Sequence, residues 1–296
     1  MISKVQVAKF QDLIFNWFEI NQRDLPWRKT HDPYAVLLSE VMLQQTQVDR
    51  VKGYWTSWLD RWPTFESLAV APTADVIRAW TGLGYNRRAV YLQRATQFIL
   101  ENGGFQNFST QQTLETIPGI GPGTSGALMN FVWNVDTPFL EVNLKRIFQR
   151  LGIGPETAVG WATEKELLEI AHTVLPTGQA RIWPHALMDF GALACRPNDP
   201  YCQNCPLGTI LPKSRLGIPE LTAKKSAKET FIGSNRYWRG EILRTLGRQA
   251  GPITQTELHK ALPDLPELPT ERLHALLSNL SKDGLIVLNK NNVNLP

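Results

Sequence analysis

Leu114-Glu-Thr-Ile-Pro-Gly-Ile-Gly-Pro-Gly-Thr-Ser-Gly-Ala-Leu-Met-Asn-Phe-Val-Trp133, running on through Asn-Val-Asp-Thr-Pro-Phe-Leu-Glu-Val-Asn-Leu-Lys-Arg146, is the stretch around which the chain is organised. It predicts a helix ending near Thr116, a tight hairpin at Pro118-Gly119-Ile120-Gly121, and a second helix from about Gly123 to Trp133. Glycines spaced this closely after an apolar helical face mark a sharp helix-to-helix connection. They also let backbone N–H groups approach a ligand at the positive end of the second helix, and phosphate suits that geometry. A tight turn between packed helices needs the same residues, so the hairpin alone does not choose between packing and binding.

The rest of the chain narrows the choice. A length of 296 residues with 43% hydrophobic content supports a large core and two or three domains. The formal charge of +4 favours an anionic partner. Phe10, Leu13, Ile14, Trp17 and Phe18 follow helical spacing and are interrupted by Gln11, Asp12 and Asn16, which argues against a signal peptide or a membrane span. The expectation is a cytoplasmic protein, associated with the nucleoid if the source is bacterial, and a monomer. All three cysteines fall between Cys195 and Cys205, a pattern suited to a local metal or cluster site rather than a secreted disulfide scaffold.

Up to residue 210 the apolar pattern is helical, with Thr46 and Asp49 placed as a capping box before Val48, Val51 and Trp55. Most of the ten tryptophans lie on apolar faces and read as core. Trp27 differs, because Arg23-Asp-Leu25-Pro-Trp27-Arg28 is a proline-bent loop of mixed charge that suits a pocket lip. Lys213, Arg215, Lys224, Lys225 and Lys228 lie among Pro, Gly and Ser and read as a basic linker. Beyond it come three short helices, Arg236–Leu246, Thr254–Leu262 and Thr270–Asp283, then a two-stranded ribbon turned at Lys290–Asn292. That is the order of a winged helix, a module that binds DNA or protein.

Ser39-Glu40-Val-Met-Leu-Gln44-Gln45-Thr46 puts Glu40 near the end of an otherwise apolar helix, beside two amides. A carboxylate on such a face has a raised pKa and can serve as a general acid, although a salt-bridged or capping glutamate fits the same position.

Leu25-Pro-Trp-Arg28, Asp32-Pro-Tyr34, Ser39 to Val48, Trp80-Thr-Gly-Leu-Gly-Tyr85, Ile117 to Gly121, Asn143 to Arg146 and Met188-Asp-Phe-Gly-Ala192 before Cys195 resemble, in order and spacing, the MutY family of adenine DNA glycosylases. This family belongs to the helix-hairpin-helix superfamily that includes endonuclease III. The resemblance covers residues 20 to 210 and implies an all-α, two-lobed fold with a DNA groove between the lobes. The implied division is residues 1–29 with 136–212, then 30–135, a linker at 213–235, and the winged-helix-like module at 236–296.

The resemblance also implies roles. Glu40 would protonate the base to be released, Glu141 would stabilise or capture the oxocarbenium ion, and Tyr85 would sit at the sugar. Gln44 or Gln45 would fill the emptied stack. Trp27 and Arg28, with Arg23, Leu25 and His185, would line the base pocket, while Pro118, Gly119, Gly121, Gly123, Thr124 and Lys145 would hold the DNA backbone. Gly123 stands where bifunctional relatives carry a lysine, which implies a monofunctional glycosylase. The implied substrate is duplex DNA carrying adenine opposite 8-oxoguanine or guanine. A thymine or uracil mismatch glycosylase, or a DNA-binding protein that has lost the chemistry, are the competing readings, with a DNA or protein partner for the C-terminal module.

Three departures stand out. The second carboxylate is Glu141 where the family has Asp, and His185 replaces a residue that is usually Gln or Glu. Cys195, Cys202 and Cys205 match three ligands of the family's 4Fe-4S loop, but the fourth position is Leu211. Three thiolates leave three outcomes: a cluster with an outside ligand, zinc with a histidine, or no metal.

Overall fold

The computed structural model describes residues 4–151, 162–197, 205–209, 230–264 and 267–296. In chain order the helices are α1 (Lys4–Asn21), α2 (Pro33–Leu43), α3 (Val48–Arg61), α4 (Phe65–Ala69), α5 (Thr73–Trp80), α6 (Arg87–Glu101), α7 (Gln111–Leu114) and α8 (Pro122–Trp133). They continue with α9 (Val142–Leu151), α10 (Glu164–Val174), α11 (Trp183–Leu193), α12 (Asn235–Gly247), α13 (Gln255–Ala261) and α14 (Thr270–Lys282). Three short strands, β1 (Ile253–Thr254), β2 (Val287–Asn289) and β3 (Asn292–Asn294), all lie near the C-terminus. Two compact units result: residues 1–36, 110–115 and 120–224 form the first, and 37–109, 116–119 and 225–296 the second.

In the first unit the apolar spacing of α1 is used as a helical stripe should be. Phe10 and Ile14 are fully buried against α9, α10 and α11, and the Phe10 ring meets Trp183 edge-on at 5.5 Å. Leu144, Ile147 and Phe148 come from α9, Leu167, Ile170 and Val174 from α10, and Leu187 and Phe190 from α11. Thr163 caps α10 reciprocally with Glu166, fixing where that helix starts.

In the second unit Trp58 packs edge-on against Trp62 and Trp80 at 4.8 and 5.4 Å. Buried Gln93 satisfies the chain around it: its amide donates to the carbonyls of Leu68 and Ala71 at 3.3 and 2.7 Å and accepts from the Thr73 hydroxyl at 2.9 Å. Thr46 does not cap α3 as its position before Asp49 suggests. The N-cap residue is Gln47, and the Thr46 hydroxyl accepts instead from Arg88 at 3.0 Å. A buried guanidinium outcompeted a local cap.

The C-terminal helices lie within a residue or two of their expected bounds. The expected two-stranded ribbon is a three-stranded antiparallel sheet in the order β1-β3-β2, turned at Lys290 with a φ of 51°. At two residues, β1 is too short to show alternation in sequence. This module shares its core with the helices before it: Ile77 of α5 and Val90 of α6 belong to the same buried cluster as Trp238, Ile242, Leu246 and Leu277. The linker residues 213–229 lie outside the described residues.

Candidate active site

In the first unit the geometry builds outward from two residues of α11. Asp189 is fully buried and receives two arginines from the loop before α2. Arg28 binds it through Nη1 and Nη2 at 2.8 and 2.7 Å, and Arg23 through its backbone N–H at 2.9 Å and Nε at 2.6 Å. Burial pushes the Asp189 carboxyl up, but the hydrogen bonds from Arg28 and Arg23 outweigh it, and the group titrates below the ordinary aspartate value. The loop is thereby tied down, with Leu25 and Trp27 buried beside it and Pro26–Lys29 wound into a 3-10 turn. Arg28 Nε and His185 Nδ1 are both buried without a hydrogen-bond partner among the described residues. His185 stacks on Phe131 with ring centroids 4.1 Å apart. Burial, then the charge on Arg28, hold its pKa well below the usual histidine range, so the ring is neutral at pH 7.

Gly191, two residues after Asp189, is where α9 approaches. A Cβ there would lie 2.6 Å from the Cβ of Asn143. Asn143 donates to Glu141 Oε2 at 3.0 Å and accepts from Arg146 Nη2 at 2.7 Å, and Arg146 also binds the carbonyls of Gly191 at 2.6 Å and Cys195 at 2.8 Å. Glu141 Oε1 accepts from the Leu144 N–H at 2.9 Å at the start of α9. Burial raises the Glu141 pKa, and the bonds from Asn143 and Leu144 and the charge on Arg146 only partly offset it. The result is a carboxylate held in one orientation in a low-dielectric setting. Lys145, by contrast, is ion-paired at the surface with Glu164 at 2.7 Å.

In the second unit Glu40 lies in the last two turns of α2, followed by Gln44 and Gln45. Gln45 has a φ of 54° and Tyr85 a φ of 48°, left-handed conformations unusual for side chains of this size. Arg88 holds both segments. Its Nη1 donates to the carbonyls of Val41, Met42 and Gln44 at 2.8, 3.0 and 2.6 Å, and its Nη2 to Gly84 at 2.9 Å. It therefore caps the carbonyl end of α2 with a positive charge. Burial lowers its pKa to about 10, which leaves it charged at neutral pH. Sequence reading missed this residue, because its acceptors at the end of α2 lie more than forty positions away in the chain and no local pattern announces them.

The hairpin keeps its expected form. Gly119 has a φ of 86°, and a Cβ there would meet the Tyr91 Cβ at 3.2 Å. Gly121 is the N-cap of α8 with Pro122 at its first position, and no described atom lies within 4 Å of where its Cβ would be. Backbone amides at the start of α8, from Gly123 and Thr124, present the positive end of the helix.

Residues 38–173 match a family model described as the HhH-GPD superfamily base excision DNA repair protein. The chain is 34% identical over 275 residues to the adenine DNA glycosylase of Mycolicibacterium smegmatis, covering 92% of this chain and 91% of that one. It belongs to the adenine DNA glycosylase family. The human adenine DNA glycosylase is 32% identical over 217 residues, covering 69% of this chain and 39% of that protein. Among solved structures, a thermostable thymine-DNA glycosylase superposes with a TM-score of 0.64 at 26% identity over 70% of this chain and 95% of that one. A trapped endonuclease III–DNA intermediate, 19% identical with a TM-score of 0.62 over 71% of this chain and 96% of that one, shares the fold. This glycosylase is thus a base excision repair enzyme that hydrolyses N-glycosidic bonds.

The cysteine loop of the glycosylase fits a four-thiolate cluster poorly. Cys195 and Cys205 pack at the edge of the first core, and Arg150 Nη1 lies 3.6 Å from Cys195 Sγ. Cys202 and Leu211 lie outside the described residues. Among the described residues no group of three His, Cys, Asp or Glu is placed to hold a metal ion. A leucine at the fourth ligand position removes one donor from the set a 4Fe-4S cluster takes.

Proposed function

We propose that this glycosylase removes adenine mispaired with guanine or 8-oxoguanine from duplex DNA, acting as a monofunctional monomer. The single observation that carries the reading is Glu141. It is half-buried, held by Asn143 and the α9 amide, and oriented by that network. Such a carboxylate suits stabilisation of an oxocarbenium ion, where a fixed charge in a water-poor setting acts without reorganising. Glu40 would donate the proton that makes adenine a leaving group, and Tyr85 would stand at the sugar. Arg28 Nε, a donor, and His185 Nδ1, a donor or acceptor according to tautomer, are buried without partners among the described residues and would read a flipped base on the side of the first unit. Gln45 would take the place left in the stack, and the α8 amides with Pro118, Gly119 and Gly121 would hold phosphates.

A thymine or uracil mismatch activity is the second reading. It is favoured by His185, a substitution in the base-reading group, and by the likeness to a solved thymine-DNA glycosylase. Base release under single-turnover conditions, developed by alkali, distinguishes the two on duplexes with adenine opposite guanine or 8-oxoguanine and with thymine or uracil opposite guanine. Release of thymine with none of adenine overturns the first reading, and no release from any duplex overturns both in favour of a binding protein.

The cysteine loop is proposed to fold without a complete 4Fe-4S cluster. Anaerobically purified protein should then carry less than one iron per chain, whereas four irons per chain would refute this. The C-terminal module is read as a winged-helix-like domain, and the enzyme as a cytoplasmic protein, associated with the nucleoid if the source is bacterial.

A further inference from the structure

Within the second unit a cleft of about 690 Å³ opens between the Gln44–Tyr91 region and α12. Two features set its chemistry. Six arginines line it against a single acid, Glu241, and four aromatic rings, Tyr85, Tyr91, Phe231 and Tyr237, line it as well. Asp283 pairs with Arg87 and Arg239, and Glu241 with Arg244, so part of this charge is balanced. Arg50 is different: it reaches the Gly82 carbonyl only at 3.4 Å, leaving most of its five donors to an incoming anion.

The flat surfaces are arranged as a plate. The Arg236 guanidinium lies 4.2 Å from the Tyr85 ring centroid and donates to its hydroxyl at 3.2 Å, with the Phe231 ring 5.8 Å away on the same guanidinium. Tyr85 and Phe231 are 40% and 58% exposed, which leaves ring area available to a planar partner. Gln45 and Tyr85, both held at positive φ, stand on the rim. Aromatic and guanidinium planes beside unpaired cationic donors match one chemistry: a nucleobase carrying a phosphate.

We infer that this cleft, completed by the C-terminal module, is a nucleotide site, taking a base against Arg236, Tyr85 and Phe231 and its phosphate against Arg50. The ligand is a nucleotide of the bound DNA other than the one being cut. The inference rests on the glycosylase reading, since extruding one nucleotide deprives its neighbours of a stacking and pairing partner. A free nucleotide has the same chemistry and is the other source.

The test uses the full chain and a duplex carrying a non-cleavable tetrahydrofuran abasic analogue. 2-Aminopurine is placed in turn at each position of both strands around the analogue, and wild type is compared with Arg236→Gln and Phe231→Ala at saturating protein. At one or more positions wild type should change the 2-aminopurine fluorescence while both variants leave it unchanged. The variants should also bind the duplex about tenfold more weakly, the size of one lost base stack. Arg50→Gln, which removes the phosphate partner, should lower the slope of log affinity against log salt by about one. Unchanged urea midpoints establish that the variants are folded. Deoxyadenosine and deoxyguanosine monophosphates are titrated in parallel. Binding of these to wild type and not to the variants, with no responsive DNA position, would keep the nucleotide chemistry but overturn the DNA source. If no DNA position and no nucleotide separates wild type from the variants, the site is refuted. Failure of wild type to release any base would sink the glycosylase reading separately, because the fluorescence is read on a duplex that is never cut.

Discussion

Glu141 is one methylene longer than the aspartate that the family resemblance leads one to expect, and both of its carboxylate oxygens are engaged at that length. Oε1 reaches the Leu144 amide and Oε2 the Asn143 amide, and Asn143 is pinned by Arg146 and by the close packing of Gly191. Shortening the side chain should therefore hurt. Glu141→Asp is expected to lower single-turnover base release by about ten- to a hundredfold, the usual consequence of a displacement near 1 Å; a faster variant would show that the longer side chain is a defect. The raised pKa makes a second point. Glu141 remains protonated to a higher pH than a free glutamate, and its negative charge appears only as pH rises through that raised value. The acid limb of the rate profile should therefore lie above 4.5, the ordinary glutamate value. Asp189 has the opposite sign. Its depressed pKa contributes stability that is present above the ordinary aspartate pKa and is lost as pH falls through the depressed value. Asp189→Asn at neutral pH leaves Arg23 and Arg28 half-buried with no anion, and should cost about 3–5 kcal/mol in urea unfolding.

At the scale of elements, Arg88 joins the end of α2 to the Gly82–Tyr85 turn by hydrogen-bonding carbonyls of both. Arg88→Met keeps the bulk of the stem but strands the carbonyls of Val41, Met42, Gln44 and Gly84. It should cost about 2–4 kcal/mol by leaving buried acceptors unpaired, and it should slow base release even where the variant is fully folded, because Gln45 and Tyr85 lose their strained backbones together. An unchanged rate in folded variant would mean those conformations are held by something else. The same region shows what a sequence can and cannot disclose. The hairpin at Pro118–Gly121 and the apolar helix bearing Glu40 were legible because their signals are local: a glycine where φ is positive, apolar residues at helical spacing. Thr46 misled for the same reason, since it has the look of a cap until a distant guanidinium takes its hydroxyl. Asp189 was legible as part of a motif, but not its arginine clamp, whose partners lie more than 160 positions earlier. β1 was missed because two residues carry no periodicity.

For the molecule as a whole, the C-terminal module is more than an appendage on a basic linker. Ile77 of α5 and Val90 of α6 are buried in its core, and Arg78 donates to the Gly247 carbonyl at 3.1 Å. Deleting residues 230–296 should expose that apolar face and lower the thermal midpoint of what remains, where a separately folded module would leave the midpoint unchanged. This is also why the module's role is best tested by point substitution.

The central claim is that two glutamates on a repair-glycosylase fold release a mispaired adenine. The measurement that tests it most directly is single-turnover release of adenine opposite guanine and opposite 8-oxoguanine, with wild type and Glu40→Gln compared at equal, saturating occupancy of the DNA. Wild type should release adenine from both duplexes, and Glu40→Gln should release none while binding within a few-fold of wild type, because the proton donor is lost and the phosphate contacts are kept. Adenine release that survives Glu40→Gln, or a wild type that leaves adenine in place in both duplexes, would contradict the account.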